Sequence, residues 1–372
     1  VAHLVDLYYS ADPKEALYST CSLGRLASYY ADVRNASHIS AVLQFAQVHN
    51  NRINVKNTGH DFFGRSAVPN SLAIWTLNLK SLDFYQIFTA SNCPSANGQN
   101  VGEMGAGVDA YRFFNSHGMD ITGGYEESVG IAGGFGQGVA VGSYTTSYGL
   151  MVDITVEFEV VTADGEVQMI NKRSDPDLFW AMRGGGGTYA VLTKFRVQVY
   201  PSVAIHTYNF VANFTGVDNG SNGTQNEALR EILTAHASNQ IEWSAQLVTG
   251  QLDYYIDKVS FGLVLPYGDD GSKLDSATVS SAQFVSNRTD ILVIENNYAS
   301  YATYTDYLEV SAAHATKAEL AGIFSLLASR LMPHHLFTAP ERVDSPVDGV
   351  IEVWKRPEVY LISLQPGLFL KR

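Results

Sequence analysis

Lys56-Asn57-Thr58-Gly59-His60-Asp61-Phe62-Phe63-Gly64-Arg65-Ser66 follows directly on a short β-run, Ile53-Asn54-Val55. Two glycines bracket one histidine, and a carboxylate comes next. Glycine tolerates the backbone angles that turn successive N–H groups toward an anion. The imidazole of His60 then projects beside whatever those groups hold. The same residues also allow a surface turn with an incidental histidine, so the stretches around it have to decide.

Upstream, Ser37 reads as an N-cap, and Ile39, Val42, Leu43 and Ala46 recur at helical spacing until Asn50-Asn51. This predicts a helix over 38–50, a strand over 53–56 and then the His60 loop. An apolar strand is expected at Leu72–Leu79, and a helix over 109–117 that turns Tyr111 and Phe114 inward and stops at Gly118. A second glycine region runs from Gly123 to Gly138 and includes Gly124, Val129, Gly130, Gly133 and Gly134. It lacks the G-x-G-x-x-G spacing and has no βαβ frame, so it is not a dinucleotide fingerprint of that kind. Tight turns between strands are the plain alternative. Ile154, Val156, Phe158 and Val160 alternate as in a half-buried strand, with Ala163-Asp164-Gly165-Glu166 as its hairpin turn. Asp175 reads as the cap of a short helix opened by Pro176. Phe179-Trp180-Ala181-Met182-Arg183 and four glycines then lead to a strand at Tyr189–Tyr200.

These stretches together resemble the berberine-bridge-enzyme-like FAD-linked oxidoreductases of the vanillyl-alcohol-oxidase superfamily, and among them the fungal-type secreted oxidases. The carriers are Asn57-Thr58-Gly59-His60-Asp61 with Gly64 and Ser66, the 123–138 glycine loop, Tyr148-Gly149-Leu150, Glu157–Glu166 and the Asp175–Gly187 signature. The resemblance implies an α+β chain: a PCMH-type, two-part α/β FAD-binding domain and an antiparallel-sheet substrate domain covered by helices. It implies FAD bonded covalently to His60. Lys56, Asn57, Thr58, Gly59, Asp61, Gly64, Ser66, Gly124, Val129, Gly130, Gly133, Gly134, Gly138, Tyr148 and Val160 are then the expected cofactor contacts. Relatives often carry a cysteine in the first part of the glycine loop as a second attachment point. Here Tyr125-Glu126-Glu127-Ser128 stands there, so a single bond is expected. Relatives also often continue with Gly-Gly-Gly-His, where this chain has Gly138-Val139-Ala140-Val141-Gly142.

The resemblance is close over about residues 20–200, weak over about 201–340 and absent over the remainder. It divides the chain into an FAD-binding domain over 1–201, a substrate domain over 202–345 and a partial or divergent return segment over 346–372. The Asn-Tyr-x-x-Leu and Lys-x-x-x-Asp-Pro stretches of family C-termini are not found. In the second half, helices are expected at Glu227–His236 and Glu319–Leu331, and strands at Ile241–Val248 and Leu252–Leu265.

Composition sets the outer bounds. The chain is 46% hydrophobic and 16% charged, which suits a sizeable core. A formal charge of −13 argues against nucleic acid and anionic membrane as partners. No run of about 18 apolar residues is present. Five N-x-S/T sequons, at Asn35, Asn213, Asn219, Asn222 and Asn287, favour a secreted glycoprotein. Cys21 and Cys93 are candidates for a disulfide in an oxidising compartment. No metal-ligand spacing is seen.

The expected activity is hydride transfer from an alcohol, sugar or secondary metabolite to FAD, with O2 as the second acceptor. The partners are then a small-molecule substrate and O2. Oligomeric state and catalytic base are not legible, and Tyr144, Tyr148, Tyr254 and Tyr255 are candidates for the base by residue type only. The competing readings are a flavoprotein scaffold without redox turnover and a secreted sugar-binding glycoprotein.

Overall fold

The approach to the His60 loop is built from β1 (Tyr29–Asp32), α1 (Ala36–Val48), β2 (Ile53–Lys56) and β3 (Leu72–Trp75). In the computed structural model, which describes residues 26–61, 64–93, 100–105, 110–126, 128–215, 223–255, 258–266, 272–286, 288–314, 332, 334–338, 340–354 and 361–364, the three strands form a parallel sheet in the order β1-β3-β2. The cap of α1 is Asn35 and not Ser37: the Asn35 carboxamide accepts from the His38 N–H at 3.0 Å, and the Ser37 hydroxyl donates to the same oxygen at 2.7 Å. Both residues are good caps, but Asn35 has the extended backbone typical of a cap, whereas Ser37 already lies inside the helix. β3 stops at Trp75 because Thr76 opens a turn, closed by Leu79 N–H donating to the Thr76 carbonyl at 3.1 Å.

The next elements are β4 (Leu82–Tyr85), β5 (Val101–Met104), α2 (Ala110–Ser116), β6 (Met119–Asp120), α3 (Thr145–Tyr148), β7 (Thr155–Val161), β8 (Val167–Ile170), α4 (Pro176–Gly185), β9 (Val191–Gln198) and β10 (Tyr200–Pro201). An antiparallel sheet runs β4-β5-β9-β7-β8. Val33, Ile39 and Ile74 of the parallel layer share one core with Val161 and Val191 of this sheet. The hairpin signal holds: the Asp164 carboxylate accepts from the Thr162 hydroxyl and the Glu166 N–H, which lowers its pKa. α4 is capped as its sequence predicts, with the Asp175 side chain accepting from the Leu178 N–H at 3.1 Å.

The antiparallel sheet buries charge. Glu103 and Glu157 are 0% and 1% exposed. Arg196 from β9 lies between them and pairs with both carboxylates, and Lys194 adds a second cation to Glu103 at 2.9 Å. The remaining Glu157 oxygen accepts from the Ser91 N–H at 2.6 Å and the Asn171 carboxamide at 2.7 Å. Buried charges persist only when paired and hydrogen-bonded in this way.

The second half supplies β11 (Ile205–Phe214), α5 (Gly223–Ala245), β12 (Thr249–Tyr255), β13 (Lys258–Pro266), α6 (Ser272–Ser286), β14 (Ile291–Tyr301), α7 (Tyr304–His314), α8 (Pro340–Trp354) and β15 (Leu361–Leu364). Its antiparallel sheet runs β14-β11-β13-β12-β15. Leu229, Ile232 and Trp243 of α5, Leu274 of α6 and Val347 of α8 pack against Phe210, Leu252 and Phe261 of the strands. Two expectations fail here. Ile241–Ala245 is the last turn of α5 and not a strand, because Trp243 continues the buried stripe begun at Leu229 and donates its indole N–H to the Ala277 carbonyl at 3.2 Å. Leu252–Leu265 falls on two strands, β12 and β13, which pair antiparallel. The helix expected at 319–331 and the C-terminal stretches other than α8 and β15 lie outside the described residues, as does Cys21. Among the described residues, Cys93 is a free thiol.

Two compact units result: residues 1–141, 150–201 and 308–329, and residues 142–149, 202–307 and 330–372. β15, from the segment expected to return to the first domain, is paired with β12 of the second unit.

Within the second unit, His236 is fully buried between the Trp243 and Phe261 rings, and its Nδ1 is hydrogen-bonded to the Tyr254 hydroxyl at 2.6 Å. Burial holds the imidazole down to about 3, against an ordinary value of 6.5. The unfolded chain therefore takes up this proton at a higher pH than the native state does. Stability from neutral His236 is complete above about pH 6.5 and is lost as pH falls toward 3. At about pH 5 the loss is on the order of 2 kcal/mol. The urea midpoint of His236→Gln should therefore fall less between neutral pH and about pH 5 than that of the wild type. Equal falls would show that His236 does not set the acid limb.

Candidate functional site

The His60 loop leaves the carboxyl end of β2 and is clamped from β3. Thr76 N–H donates to the Lys56 carbonyl at 2.8 Å, and the Trp75 indole donates to the Asn57 carbonyl at 3.1 Å. The Asn57 carboxamide donates to the Thr76 hydroxyl at 3.2 Å. Gly59 has φ +105°, which side chains rarely adopt, and the aliphatic stem of Lys56 runs past it at 3.3 Å from where a Cβ would stand. Among the described residues, neither the Thr58 nor the Gly59 N–H donates to a protein acceptor. The Lys56 ammonium therefore lies beside uncommitted backbone donors, the makings of an anion cradle. Asp61 closes the loop: its carboxylate accepts from Arg65 N–H at 2.8 Å and from the Arg65 guanidinium at 2.9 Å, while Gly64 N–H donates to its carbonyl at 3.0 Å. The Ser66 carbonyl accepts from buried Asn54 at 2.9 Å.

The glycine region meets this loop. Gly130 N–H donates to the Thr58 hydroxyl at 3.4 Å, and His60 Nε2 is hydrogen-bonded to the Ser128 hydroxyl at 2.8 Å. Asn57 sits where side chains on Gly130 and Gly133 would go: added Cβ atoms would stand 2.0 Å and 2.8 Å from its carboxamide. The backbone can approach Asn57 only because both residues are glycine. Ile131–Phe135 winds into a turn that is kinked at Gly133 (φ −79°, ψ −131°), and Gly138 N–H closes on the Phe135 carbonyl at 3.1 Å. A Cβ on Gly134 would meet nothing within 4 Å. Gly124 accepts at its carbonyl from Tyr111 at 2.8 Å, and Val129 N–H donates to the Glu126 carbonyl at 3.2 Å.

The structure therefore brings together, within the first unit, Lys56, Asn57, Thr58, Gly59, His60, Gly130 and Gly133. Val160 lies inside β7 with its side chain fully buried, so that side chain packs in the core. Tyr148 belongs to the second unit, where its ring packs 5.6 Å from that of Tyr144. The candidate bases are thinned. Tyr254 is fully enclosed with His236, and Tyr144 is buried against Tyr304. Burial and then Asp253 raise the Tyr255 pKa, and Lys258 lies over its ring. Sequence reasoning missed Thr76, Trp75 and Ser128 as the partners of Asn57 and His60. Only Ser128 carried a signal, as part of the segment where relatives often hold a cysteine.

The departure at 138–142 has a backbone consequence. Val139 and Ala140 have φ of +82° and +65°, a region suited to glycine and strained for a β-branched residue. A groove of about 520 Å³ lined by Tyr29, Phe45, Asn51 and Leu72 opens at the amino ends of β1 and β3, away from the carboxyl end of β2 that carries the loop.

Residues 27–171 match a family of FAD binding domains. The FAD-linked oxidoreductase easE of Epichloe festucae var. lolii is 32% identical over 326 residues, covering 86% of this chain and 52% of that protein. The FAD-linked oxidoreductase phmC of Phaeosphaeria nodorum is 31% identical over 307 residues, covering 80% and 66%. The crystal structure of the VAO-type flavoprotein MtVAO615 from Myceliophthora thermophila C1 superposes with a TM-score of 0.74 at 27% identity, over 91% of this chain and 60% of that one. This chain belongs to the FAD-linked oxidoreductases, a family of VAO-type flavoproteins. It spans from about a third to about two thirds of the length of the curated relatives it matches, 31% to 66%.

The residues fit FAD. The Thr58 and Gly59 N–H groups beside Lys56 suit a pyrophosphate. Among the described residues, the Asn57 Oδ1 is buried without a protein partner, at the junction of the two segments.

Two tests probe this geometry. Gly133→Ala should lower stability by about 1–3 kcal/mol and weaken FAD retention, because its Cβ collides with Asn57, while Gly134→Ala should stay within about 0.5 kcal/mol. Similar urea midpoints for the two variants would contradict the close approach. Val139→Gly should raise stability by up to about 1 kcal/mol, since relieved left-handed strain outweighs the added unfolded-state entropy. A fall in midpoint would show that the valine side chain contributes more than its backbone strain removes.

Proposed function

We propose that this chain carries the cofactor site of an oxidase in which FAD is bonded through His60 and a small organic molecule gives up hydride. An alcohol, a sugar or a secondary metabolite fits this class. The observation that carries the reading is His60, hydrogen-bonded to Ser128 of the glycine region beside the Lys56, Thr58 and Gly59 cradle. Bound FAD supplies the two-electron acceptor, which dioxygen restores with release of peroxide. The protein supplies position: Lys56 and the loop N–H groups would hold the pyrophosphate, Asn57 fixes the spacing of the two segments, and His60 would anchor the ring. The names of the relatives, FAD-linked oxidoreductases, support the reaction class.

A scaffold without turnover is the second reading, favoured by the strained Val139-Ala140 pair in the altered loop. Peroxide release on a panel of alcohols and sugars separates the two. We also infer a secreted protein, because Asn213 of the Asn213-Phe214-Thr215 sequon is exposed. Among the described residues no helix is long and apolar enough to cross a membrane.

The attachment is tested with His60→Ala. Denatured wild type should stay yellow, and the variant should release all its flavin, since no cysteine at 125–128 offers a second bond. Flavin retained by the denatured variant would overturn the single attachment through His60.

A further inference from the structure

We propose that Ser128 and Glu126 form a proton relay that prepares His60 for attachment of FAD and removes its ring proton as the bond forms. The proposal rests on the covalent reading given above. Its basis is the chain of contacts His60 Nε2 to Ser128 Oγ at 2.8 Å and Ser128 Oγ to Glu126 Oε1 at 3.0 Å. Ser128 has one hydroxyl proton, and the Glu126 carboxylate can only accept it. The Ser128 oxygen must then accept from His60, which places the ring hydrogen on Nε2 and the lone pair on Nδ1. The Glu126 carboxylate is itself held in place by the Ser128 N–H at 3.2 Å. A base orients a nucleophile through an intervening partner in the same way elsewhere in enzyme chemistry.

The balance closes. Nδ1 forms a carbon–nitrogen bond to the flavin methyl carbon, and one C–H bond of that carbon breaks. The imidazole, now substituted on Nδ1, must lose its Nε2 proton to end neutral. That proton passes to Ser128 as the Ser128 hydroxyl proton passes to Glu126. The methyl proton leaves to water and the two electrons released go to dioxygen, which takes up two protons and leaves as hydrogen peroxide. Glu126 and Ser128 act through His60 and are positioning residues. They occupy the segment where relatives often use a cysteine, so one stretch serves attachment by two different chemistries.

The test follows attachment rather than turnover. Apo-protein from a flavin-depleted host is mixed with FAD in air, and covalent flavin is read as fluorescence of the denatured polypeptide over time. Glu126→Ala and Ser128→Ala should attach FAD about a hundredfold more slowly than wild type. Reversible FAD binding, read by fluorescence quenching, should change little. Ser128→Thr should restore the rate through its hydroxyl, and added formate should rescue Glu126→Ala but not Ser128→Ala. Those rescues would not occur if the two residues only supported the loop. Wild-type rates in both alanine variants, or slow attachment rescued by neither threonine nor formate, would overturn the relay and leave attachment through His60 standing. No covalent flavin in the wild type would overturn both.

Discussion

The site depends on the room that two absent side chains leave for Asn57. Its carboxamide occupies the space where Gly130 and Gly133 would carry Cβ atoms, and its own backbone is held by Trp75. Any other residue at either glycine would push the two segments apart by a good part of a side-chain diameter. The hydrogen bonds from Gly130 to Thr58 and between His60 and Ser128 then lose their geometry together. The position of one histidine is thus set by steric closeness about 70 residues further along the chain.

Much of the first unit was legible because its signals are local. A loop with Gly59 and His60 after a β-run, a cap at Asp175 followed by Pro176, and an Asp-Gly hairpin each state their geometry in a few residues. The glycine region was legible as a close-approach segment, but its partner was not. Nothing near Asn57 in the sequence names Gly130, and nothing near His60 names Ser128. Such pairings exist only once β2 and β3 have brought the loop to its place.

The second unit was harder to read for a related reason. Helix α5 buries His236 and Gln240 along with its apolar residues, so its inner stripe reads as broken and Ile241–Val248 passes for alternation. Polar groups can take core positions there because each finds a partner, His236 in Tyr254 and Gln240 in the carbonyl one turn back. The choice between Asn35 and Ser37 as a cap was equally undetermined. The two residues share the same hydrogen-bonded corner, and only backbone angle separates their roles.

The Glu103–Arg196–Glu157 cluster has a consequence for heat. Ionic groups removed from water lose hydration that is entropically unfavourable to begin with, so the penalty for burying them shrinks as temperature rises. The apolar core around Phe158 and Phe195 gains no comparable advantage on warming. The sheet that carries these residues is therefore held near room temperature mostly by its packing, and progressively more by its charges as it approaches melting.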